Sequence, residues 1–235
     1  MSPKDKLPER SSGAEVDAFL RKVAIAPIKP GGAAKGRLIF AMDATASREP
    51  TWDRACHIQA EMFKETEALG GLEVQLIYYR GYRQCRASRW AKDPAQLLRY
   101  MTSVSCLAGH TQIRKVLKRA IKETQEKKVG ALVFVGDAIE EDIDDLGHLA
   151  GRLGLLGLPC FMFHEGRDPA AATAFKQIAR LSGGAYAPFD SSSPQQLRDL
   201  LSAVAVYAAG GRPALQDFSR RAGGVVPQLT HQLQK

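Results

Sequence analysis

Cysteine is scarce in this sequence, and long hydrophobic runs are absent. The four cysteines, Cys56, Cys85, Cys106 and Cys160, form no CxxC pair, so their spacing indicates neither a disulfide framework nor a zinc knuckle. The N-terminal stretch MSPKDKLPER lacks the apolar core of a secretory signal, and no run approaches the roughly 20 apolar residues of a membrane span. We therefore expect a soluble, unexported, cytoplasmic protein without a membrane partner.

A strong excess of one charge sign is also absent. The 235 residues include 33 basic and 25 acidic side chains, for a net charge of +8 and a pI near 9.4. This balance is typical of a mixed surface rather than a polycation. With 45% hydrophobic residues and 21 glycines, the chain can fill one sizeable core. We expect one domain over residues 36–209, an N-terminal tail over 1–35 with a short amphipathic helix at Ala14–Val23, and a flexible C-terminal tail over 210–235.

Apolar runs alternate along the chain with segments of helical periodicity. Strands are predicted at 38–42, 72–79, 82–90, 129–135, 158–163 and 185–189, and helices at 50–69, 94–101, 112–127, 143–155, 169–181 and 194–209. Such alternation is typical of an α/β fold with a mostly parallel sheet and helices on both faces. The third predicted strand contains arginines and is interpreted as a partly exposed edge strand.

The segment Arg37–Ser47, RLIFAMDATAS, joins a buried strand to three oxygen-bearing side chains. Its apolar part shows no alternation, which is typical of a strand buried on both faces. Asp43, Thr45 and Ser47 then follow at every second position, just past the carboxyl end of that strand. Such side chains can converge on one small, hard cation. The alternative is that they only cap the next helix.

Two later residues complete this candidate site. Thr111 lies in a GHT loop before a long predicted helix, and Asp137 follows the apolar strand that ends in VFV. Side chains at the carboxyl ends of neighbouring parallel strands share one crevice, so we expect both residues to meet Asp43, Thr45 and Ser47. The acids beyond Asp137 are interpreted as a solvated helix start; they are Glu140, Glu141, Asp142, Asp144 and Asp145.

These residues resemble the metal-ion-dependent adhesion site, MIDAS, of the von Willebrand factor type A (VWA) domain family. The family uses DxSxS after the first strand, a threonine in a later loop and an aspartate after the fourth strand. DATAS matches the first part, with Thr45 in place of a serine and its hydroxyl oxygen retained. Thr111 and Asp137 match the rest, whereas Gly136 stands where the family often has threonine. The resemblance covers about 38–209 and implies a Rossmann-like VWA fold, with six strands and one antiparallel edge strand.

The resemblance also implies a function. In such a site a divalent cation, Mg²⁺ or else Mn²⁺ or Ca²⁺, is bound by Asp43, Thr45, Ser47, Thr111 and Asp137. Mg²⁺ takes six oxygens at about 2.1 Å, and neutral hydroxyl ligands leave its charge only partly neutralised, so it attracts an external carboxylate. We therefore expect a metal-dependent protein–protein interaction module of bacterial type, not an enzyme. Its partner protein offers a Glu or Asp, and the family's intracellular members suggest an AAA+ ATPase or a chelatase-type complex as that partner.

Two other functions compete with this interpretation. A Mg²⁺-dependent phosphohydrolase is disfavoured, because a haloacid-dehalogenase-like enzyme needs an aspartate where Thr45 stands, and no GxxxxGK[ST], GxSxG or GxGxxG motif occurs. The main alternative is nucleic-acid or partner binding by the basic, aromatic segment 78–90, with contacts from Arg80, Arg83, Arg86, Arg89 and Trp90. Residues three apart on a regular strand fall on alternating faces, so solubility of an exposed edge is the favoured role of these arginines.

Overall fold

The computed structural model describes residues 35–189 and 194–221, which form an α/β fold around one sheet. Its strands are β1 (Gly36–Asp43), β2 (Leu72–Arg80), β3 (Gln84–Ala91), β4 (Ala131–Gly136), β5 (Cys160–Glu165) and β6 (Ala185–Phe189). The strand order is β3-β2-β1-β4-β5-β6, and neighbours are parallel except for β2 and β3. The predicted six-stranded sheet with one antiparallel edge strand is confirmed. Two predicted segments lie outside the described residues, namely the helix at Ala14–Val23 and the tail over 222–235.

Helices cover both faces of the sheet, as predicted. They are α1 (Glu49–Thr66), α2 (Pro94–Thr102), α3 (Ile113–Glu126), α4 (Ile143–Leu155), α5 (Pro169–Ser182) and α6 (Pro194–Arg221). The helices α1, α2 and α6 pack on one face and α3, α4 and α5 on the other, so an apolar core lies on each side. Within the described ranges, no helix is both long and apolar enough to cross a membrane.

Strand β1 lies at the centre of the sheet. All of its residues are buried, because it has a strand on each side and helices on both faces. The chain passes from β1 to β2 on one side, whereas β4 pairs with the other side. The order of the sheet therefore reverses between β1 and β4. At such a switch point a crevice opens at the carboxyl ends of the two strands.

The C-terminal helix is longer than the sequence predicts. A flexible tail is expected from residue 210, but the chain is helical as far as Arg221. Gly211, with a non-helical φ of 71°, breaks α6 into two segments. Pro213 falls in the first turn of the second segment, where proline is tolerated, and Leu215 anchors that segment in the core. The prediction of a flexible tail is therefore wrong for residues 210–221.

Edge strand β3 contains a β-bulge. Its register with β2 shifts once, so that one β2 residue faces two β3 residues. Ala87 and Trp90 are three apart, yet both pack against the core formed by α3, α4 and α5. Arg86 and Arg89 therefore fall together on the opposite face of the strand. The expectation that residues three apart lie on alternating faces is wrong at this point, because the extra residue resets the alternation.

A buried polar network at the amino end of β1 ties β3 to α3. Glu123 accepts hydrogen bonds from Gln75 Nε2 and Trp90 Nε1, each at 3.1 Å. Arg119 Nε donates to the same carboxylate at 2.8 Å, and the Arg37 guanidinium stacks 3.8 Å above the Trp90 ring. Burial raises the pKa of Glu123, but these hydrogen bonds outweigh burial and leave that pKa below its usual range.

We expect Glu123→Ala to lower the free energy of unfolding by about 2–4 kcal/mol, because the buried Gln75 amide, the partly buried Trp90 N–H and the Arg119 guanidinium lose their common acceptor. The matched control is Glu126→Ala on the same helix, whose carboxylate pairs with Lys122 at 3.8 Å and is 61% exposed. That change should lower the free energy of unfolding by at most about 0.5 kcal/mol. Urea unfolding followed by circular dichroism measures both, and equal losses would contradict the role assigned to the network.

Candidate functional site

A cleft opens where the carboxyl ends of β1 and β4 meet. Its volume is about 260 Å³, and its lining consists of Asp43, Thr45, Ala46, Ser47, Ala108, Gly109, Thr111, Asp137, Ala138 and Glu140. The five residues that the sequence predicts to meet are all in this lining. They come from the end of β1, the loop before α3 and the first position after β4. We call Asp43, Thr45, Ser47, Thr111 and Asp137 the oxygen cluster.

Hydrogen bonds inside the oxygen cluster orient its hydroxyl groups. Ser47 Oγ donates to Asp137 Oδ2 at 3.1 Å, and Thr45 Oγ1 lies 3.4 Å from Ser47 Oγ. The backbone N–H of Thr45 donates to Asp43 Oδ1 at 2.7 Å. A hydroxyl whose hydrogen is given to a carboxylate keeps its oxygen lone pairs for another partner. The cluster can therefore offer neutral oxygen ligands that are backed by two carboxylates.

The helix-cap alternative finds no support in these hydrogen bonds. The 3₁₀ turn Ala46–Arg48 has Thr45 at its N-cap, and α1 has Arg48 at its N-cap, yet neither helix start receives a side-chain cap bond. The Asp43 carboxylate instead accepts the N–H two residues further on, which is a local turn that aspartate commonly makes.

The Asp43 carboxyl group is buried at the base of the cleft, with 1% of the residue exposed. Burial raises the pKa of Asp43 to about 6; the hydrogen bonds from Thr45 and the charge of Arg48 oppose this rise, and the charge of Asp137 adds to it. Tyr79 is opposite Asp43 in the β1–β2 ladder. Burial and the nearby Asp43 carboxylate raise the pKa of the Tyr79 hydroxyl well above its usual range. The ionised Asp43 is thus poorly solvated, which favours a bound cation beside it.

Thr111 is held in place by the loop that follows β4. The Glu140 backbone N–H donates to Thr111 Oγ1 at 3.0 Å, and the Thr111 N–H donates to Glu140 Oε2 at 2.9 Å. Glu141 accepts hydrogen bonds from the first two backbone N–H groups of α3. Glu140 is exposed, in agreement with the interpretation of these acids as solvated, and Glu141 is half-buried. Both acids also connect the two loops of the cleft through these hydrogen bonds, a role that the interpretation does not include.

The sequence indicates that acceptors are needed at the start of α3, but not which residues provide them. Gln112 is a poor N-cap and makes no cap bond, so the N–H groups at the start of α3 need acceptors from elsewhere in the fold. Asp142 behaves as the sequence predicts, because it accepts the Asp145 N–H at 2.9 Å and caps its own helix, α4.

Arg48 is a further residue that the sequence does not single out. Its side chain is 2% exposed, forms an ion pair with Glu165 at the end of β5, and has NH1 3.8 Å from Asp137 Oδ2. Thr51 Oγ1 donates to the same Glu165 carboxylate at 2.5 Å. No sequence signal marks this arginine, since a charged residue at the start of an amphipathic helix normally faces solvent.

One rim of the cleft is aromatic and apolar. Tyr82 in the β2–β3 turn is 73% exposed, and its ring centroid lies 5.1 Å from that of His110. Leu107 is 44% exposed. The His110 N–H donates to Gly81 O at 3.2 Å, and the two loops approach so closely that a Cβ at Gly109 would lie 2.1 Å from that oxygen. We call Tyr82 and Leu107 the apolar rim; His110, whose Nδ1 lies 2.8 Å from Glu140 Oε2, is a polar neighbour of that rim.

Gly136, at the position where the resemblance implies threonine, has a packing reason. A Cβ at this position would lie 2.7 Å from the Phe134 ring, and that ring stacks with Tyr79 at a centroid distance of 6.2 Å. The Phe134 ring therefore takes the space of a side chain at this position. Asp137 nevertheless lines the cleft.

The predicted basic and aromatic contact residues divide into two groups. Arg80 NH1 donates to the Ser105 carbonyl at 2.6 Å, and Trp90 belongs to the buried network of β3. These two side chains thus have partners inside the fold. The second group is exposed and forms no ion pair with any other described residue; it consists of Arg83, Arg86 and Arg89.

The oxygen cluster differs from a metal site built on histidine, cysteine or carboxylates alone. Across residues 35–189 and 194–221, no group of three or more His, Cys, Asp and Glu side chains is arranged to hold a metal ion. Three of the five side chains in the cluster are hydroxyls instead. Hydroxyl and carboxylate oxygens are ligands that hard divalent cations prefer. The donor set, with the Ser47 hydrogen given to Asp137, therefore fits such a cation.

Comparisons with known proteins identify the fold. No protein-family profile matches the chain, and no curated protein matches it. Among solved structures, the VWA domain of SpRpn10 is similar with a TM-score of 0.55 and 16% identity, over 72% of this chain and 94% of that one. The vWF domain of the type V pili tip protein Mfa5 from Porphyromonas gingivalis is similar with a TM-score of 0.54 and 9% identity, over 73% and 94%.

A third similar structure carries a metal. It is proximal thread matrix protein 1 from the mussel byssus with a zinc-occupied MIDAS motif, which has a TM-score of 0.60 and 12% identity over 75% of this chain. The match spans 47% of that protein. At these identities the likenesses show the fold alone, and they confirm the predicted VWA fold.

We expect Asp43→Asn to stabilise the protein in the presence of a chelator. The folded-state pKa of about 6 lies above the unfolded value of 3.8, so the unfolded chain loses its proton first as the pH rises, and stability falls across this window. Asparagine cannot ionise. The free energy of unfolding of the variant should exceed that of the wild type by about 3 kcal/mol at pH 8 and by about half of that at pH 5.

Urea unfolding at the two pH values measures this difference. The control is Asp53→Asn, at an exposed position of α1. Its free energy of unfolding relative to the wild type should not increase with pH. An Asp43→Asn protein less stable than the wild type at pH 8 would contradict the assigned burial cost.

Proposed function

We propose that this protein is a metal-dependent interaction module, in which a divalent cation on the oxygen cluster coordinates a Glu or Asp of a partner protein. The observation that carries the proposal is the convergence of three hydroxyls and two carboxylates from separate segments in one open cleft. The VWA fold supports it, because the similar mussel byssus protein has a MIDAS motif that holds zinc. The proposed role is binding rather than catalysis.

The side chains of the oxygen cluster divide by charge. Thr45, Ser47 and Thr111 would supply neutral oxygens, while Asp43 and Asp137 would balance the cation and orient the hydroxyls, as Asp137 does for Ser47. When bound, the cation supplies an electrophilic coordination position that an outside carboxylate can fill. An oxygen-only cluster favours Mg²⁺, with Mn²⁺ or Ca²⁺ as alternatives.

The apolar rim narrows the chemistry of the partner. Tyr82 and Leu107 expose apolar surface directly beside the cleft, and exposed aromatic side chains next to a polar site commonly contact a partner. Glu140 also lines the cleft, and its negative charge disfavours a second acid at that side. We therefore propose a partner segment in which one Glu or Asp is adjacent to an aromatic or aliphatic side chain.

Thr45 offers a matched pair of variants that test the metal site. Thr45→Val keeps the shape but removes the hydroxyl, and should weaken Mn²⁺ binding by about tenfold or more, whereas Thr45→Ser should stay within about threefold of the wild type. Asp43→Ala should bind no Mn²⁺. Isothermal titration calorimetry measures these affinities. A wild-type protein that binds no Mn²⁺ at millimolar concentrations would remove the metal from the proposal.

Partner capture tests the second half of the same proposal. Immobilised wild type and Thr45→Ser should retain a protein from an extract of the native host in Mg²⁺ and release it with chelator. Thr45→Val and Asp43→Ala should not retain that protein. Retention that is indifferent to chelator and to Asp43→Ala would sink the metal-bridged mechanism.

The β-bulge favours nucleic-acid binding as a second candidate function. It places Arg86 and Arg89 on one face of β3, and Arg83 is exposed in the preceding turn. A row of cations on an open sheet edge can contact successive phosphates. Trp90, whose ring is covered by Arg37, would contribute no stacking in this arrangement.

Filter binding with single-stranded RNA across a salt series tests this candidate. If it is correct, affinity falls steeply with salt, and Arg86→Ser with Arg89→Ser weakens binding at low salt by about tenfold or more. Lys122→Ser with Lys118→Ser, at α3, is a charge-matched control that should change affinity little. No retention of RNA at low salt would end this candidate.

A further inference from the structure

Arg48 brings a buried positive charge to the edge of the oxygen cluster. It follows Ser47 directly, and its NH1 lies 3.8 Å from Asp137 Oδ2, the same oxygen that accepts the Ser47 hydroxyl. A buried guanidinium needs a counter-charge. Glu165 provides one through an ion pair with Arg48. The arrangement thus connects the oxygen cluster to a second charged pair at the end of β5.

We propose that Arg48 is a resident counter-cation of the oxygen cluster, which neutralises Asp137 in the metal-free protein and competes with a metal ion for that carboxylate. This inference rests on the proposed function, since it concerns the same site. Its consequence is that the isolated protein binds metal weakly. A partner's carboxylate adds the negative charge that Arg48 removes, so metal and partner bind tightly only together.

The charges around Asp137 support this role. The Glu165 carboxylate is already engaged by Arg48 and by the Thr51 hydroxyl, so its charge is compensated within that pair. Arg48 also acts on the other carboxylate of the cluster, because its charge stabilises the ionised form of Asp43. One guanidinium therefore acts on both acids that would bind a cation, while burial still outweighs its effect at Asp43, and a like charge so close opposes a second cation.

A purely structural role makes a different prediction. The Arg48–Glu165 pair joins the start of α1 to the end of β5, and breaking it from either side would lower stability without a defined effect on metal affinity. The counter-cation role instead predicts opposite shifts. Removing the charge of Arg48 tightens metal binding, whereas removing that of Glu165 leaves the guanidinium uncompensated and weakens metal binding.

The test is calorimetric titration of the full chain with Mn²⁺ alone. Arg48→Met should bind Mn²⁺ about tenfold or more tighter than the wild type, and Glu165→Gln about tenfold weaker. Arg48→Lys keeps the charge and should stay within about threefold of the wild type. The matched control is Arg114→Met, whose guanidinium pairs with Asp145 at 3.3 Å but is 52% exposed; its affinity should be unchanged.

A second readout compares urea unfolding in chelator and in saturating Mn²⁺. Arg48→Met should lose more stability in chelator, where nothing else neutralises Asp137, than in Mn²⁺. An equal loss under both conditions overturns the counter-cation role and leaves a structural pair.

The outcomes separate this inference from the proposed function. If the wild type binds Mn²⁺, Asp43→Ala does not, and Arg48→Met binds no tighter than the wild type, then only the counter-cation role falls. If Arg48→Met does not fold, unchanged affinity of Glu165→Gln overturns it. Binding by Arg48→Met at Mn²⁺ concentrations at least about tenfold below those that the wild type requires supports it. Failure of both proteins to bind Mn²⁺ overturns the inference together with the metal site.

Discussion

The parallel pairing of β1 with both β2 and β4 is the constraint on which the rest of the structure depends. It buries β1 completely, and the strand is apolar from Leu38 to Met42, so polar side chains occur only at its two ends. The register that pairs Met42 with Val135 ends β1 and β4 at nearly the same level, and their next polar residues, Asp43 and Asp137, therefore leave the sheet side by side. The position of the cleft follows from this backbone geometry, because the sheet order reverses between these two strands.

The two ends of the sheet use buried charge in different ways. At the amino end of β1, the Glu123 carboxylate accepts hydrogen bonds from three side chains, and this network stabilises an edge strand. At the carboxyl end, Asp43 is buried with a pKa raised to about 6, and the hydroxyls beside it keep lone pairs for another partner. A charge whose hydrogen bonds are complete is typical of a structural network, whereas an incompletely compensated one is typical of a binding site.

Long-range contacts hold the cleft together. Glu140 and Glu141 come from the loop after β4 and bind the backbone at the start of α3, so they fix Thr111 relative to Asp137. Arg48 and Glu165 do the same between α1 and β5. The loops of the cleft are thus connected by acidic side chains that accept N–H groups and by one buried ion pair, which limits how far the oxygen cluster can spread when charges are added or removed.

Local patterns in the sequence determined the elements, the buried character of β1, and the proximity of Asp43, Thr45 and Ser47, because these depend on periodicity and on short spacings. Thr111 and Asp137 could be added because strand ends in a parallel sheet share an edge. The tertiary structure alone decided the roles of Arg48 and Glu141, since their partners lie far away in the chain: Arg48 pairs with Glu165, and Glu141 binds N–H groups of α3. It also decided the bulge in β3. An arginine or glutamate has the same local signature whether it faces solvent or a buried counter-charge, and only the packing of the loops distinguishes the two.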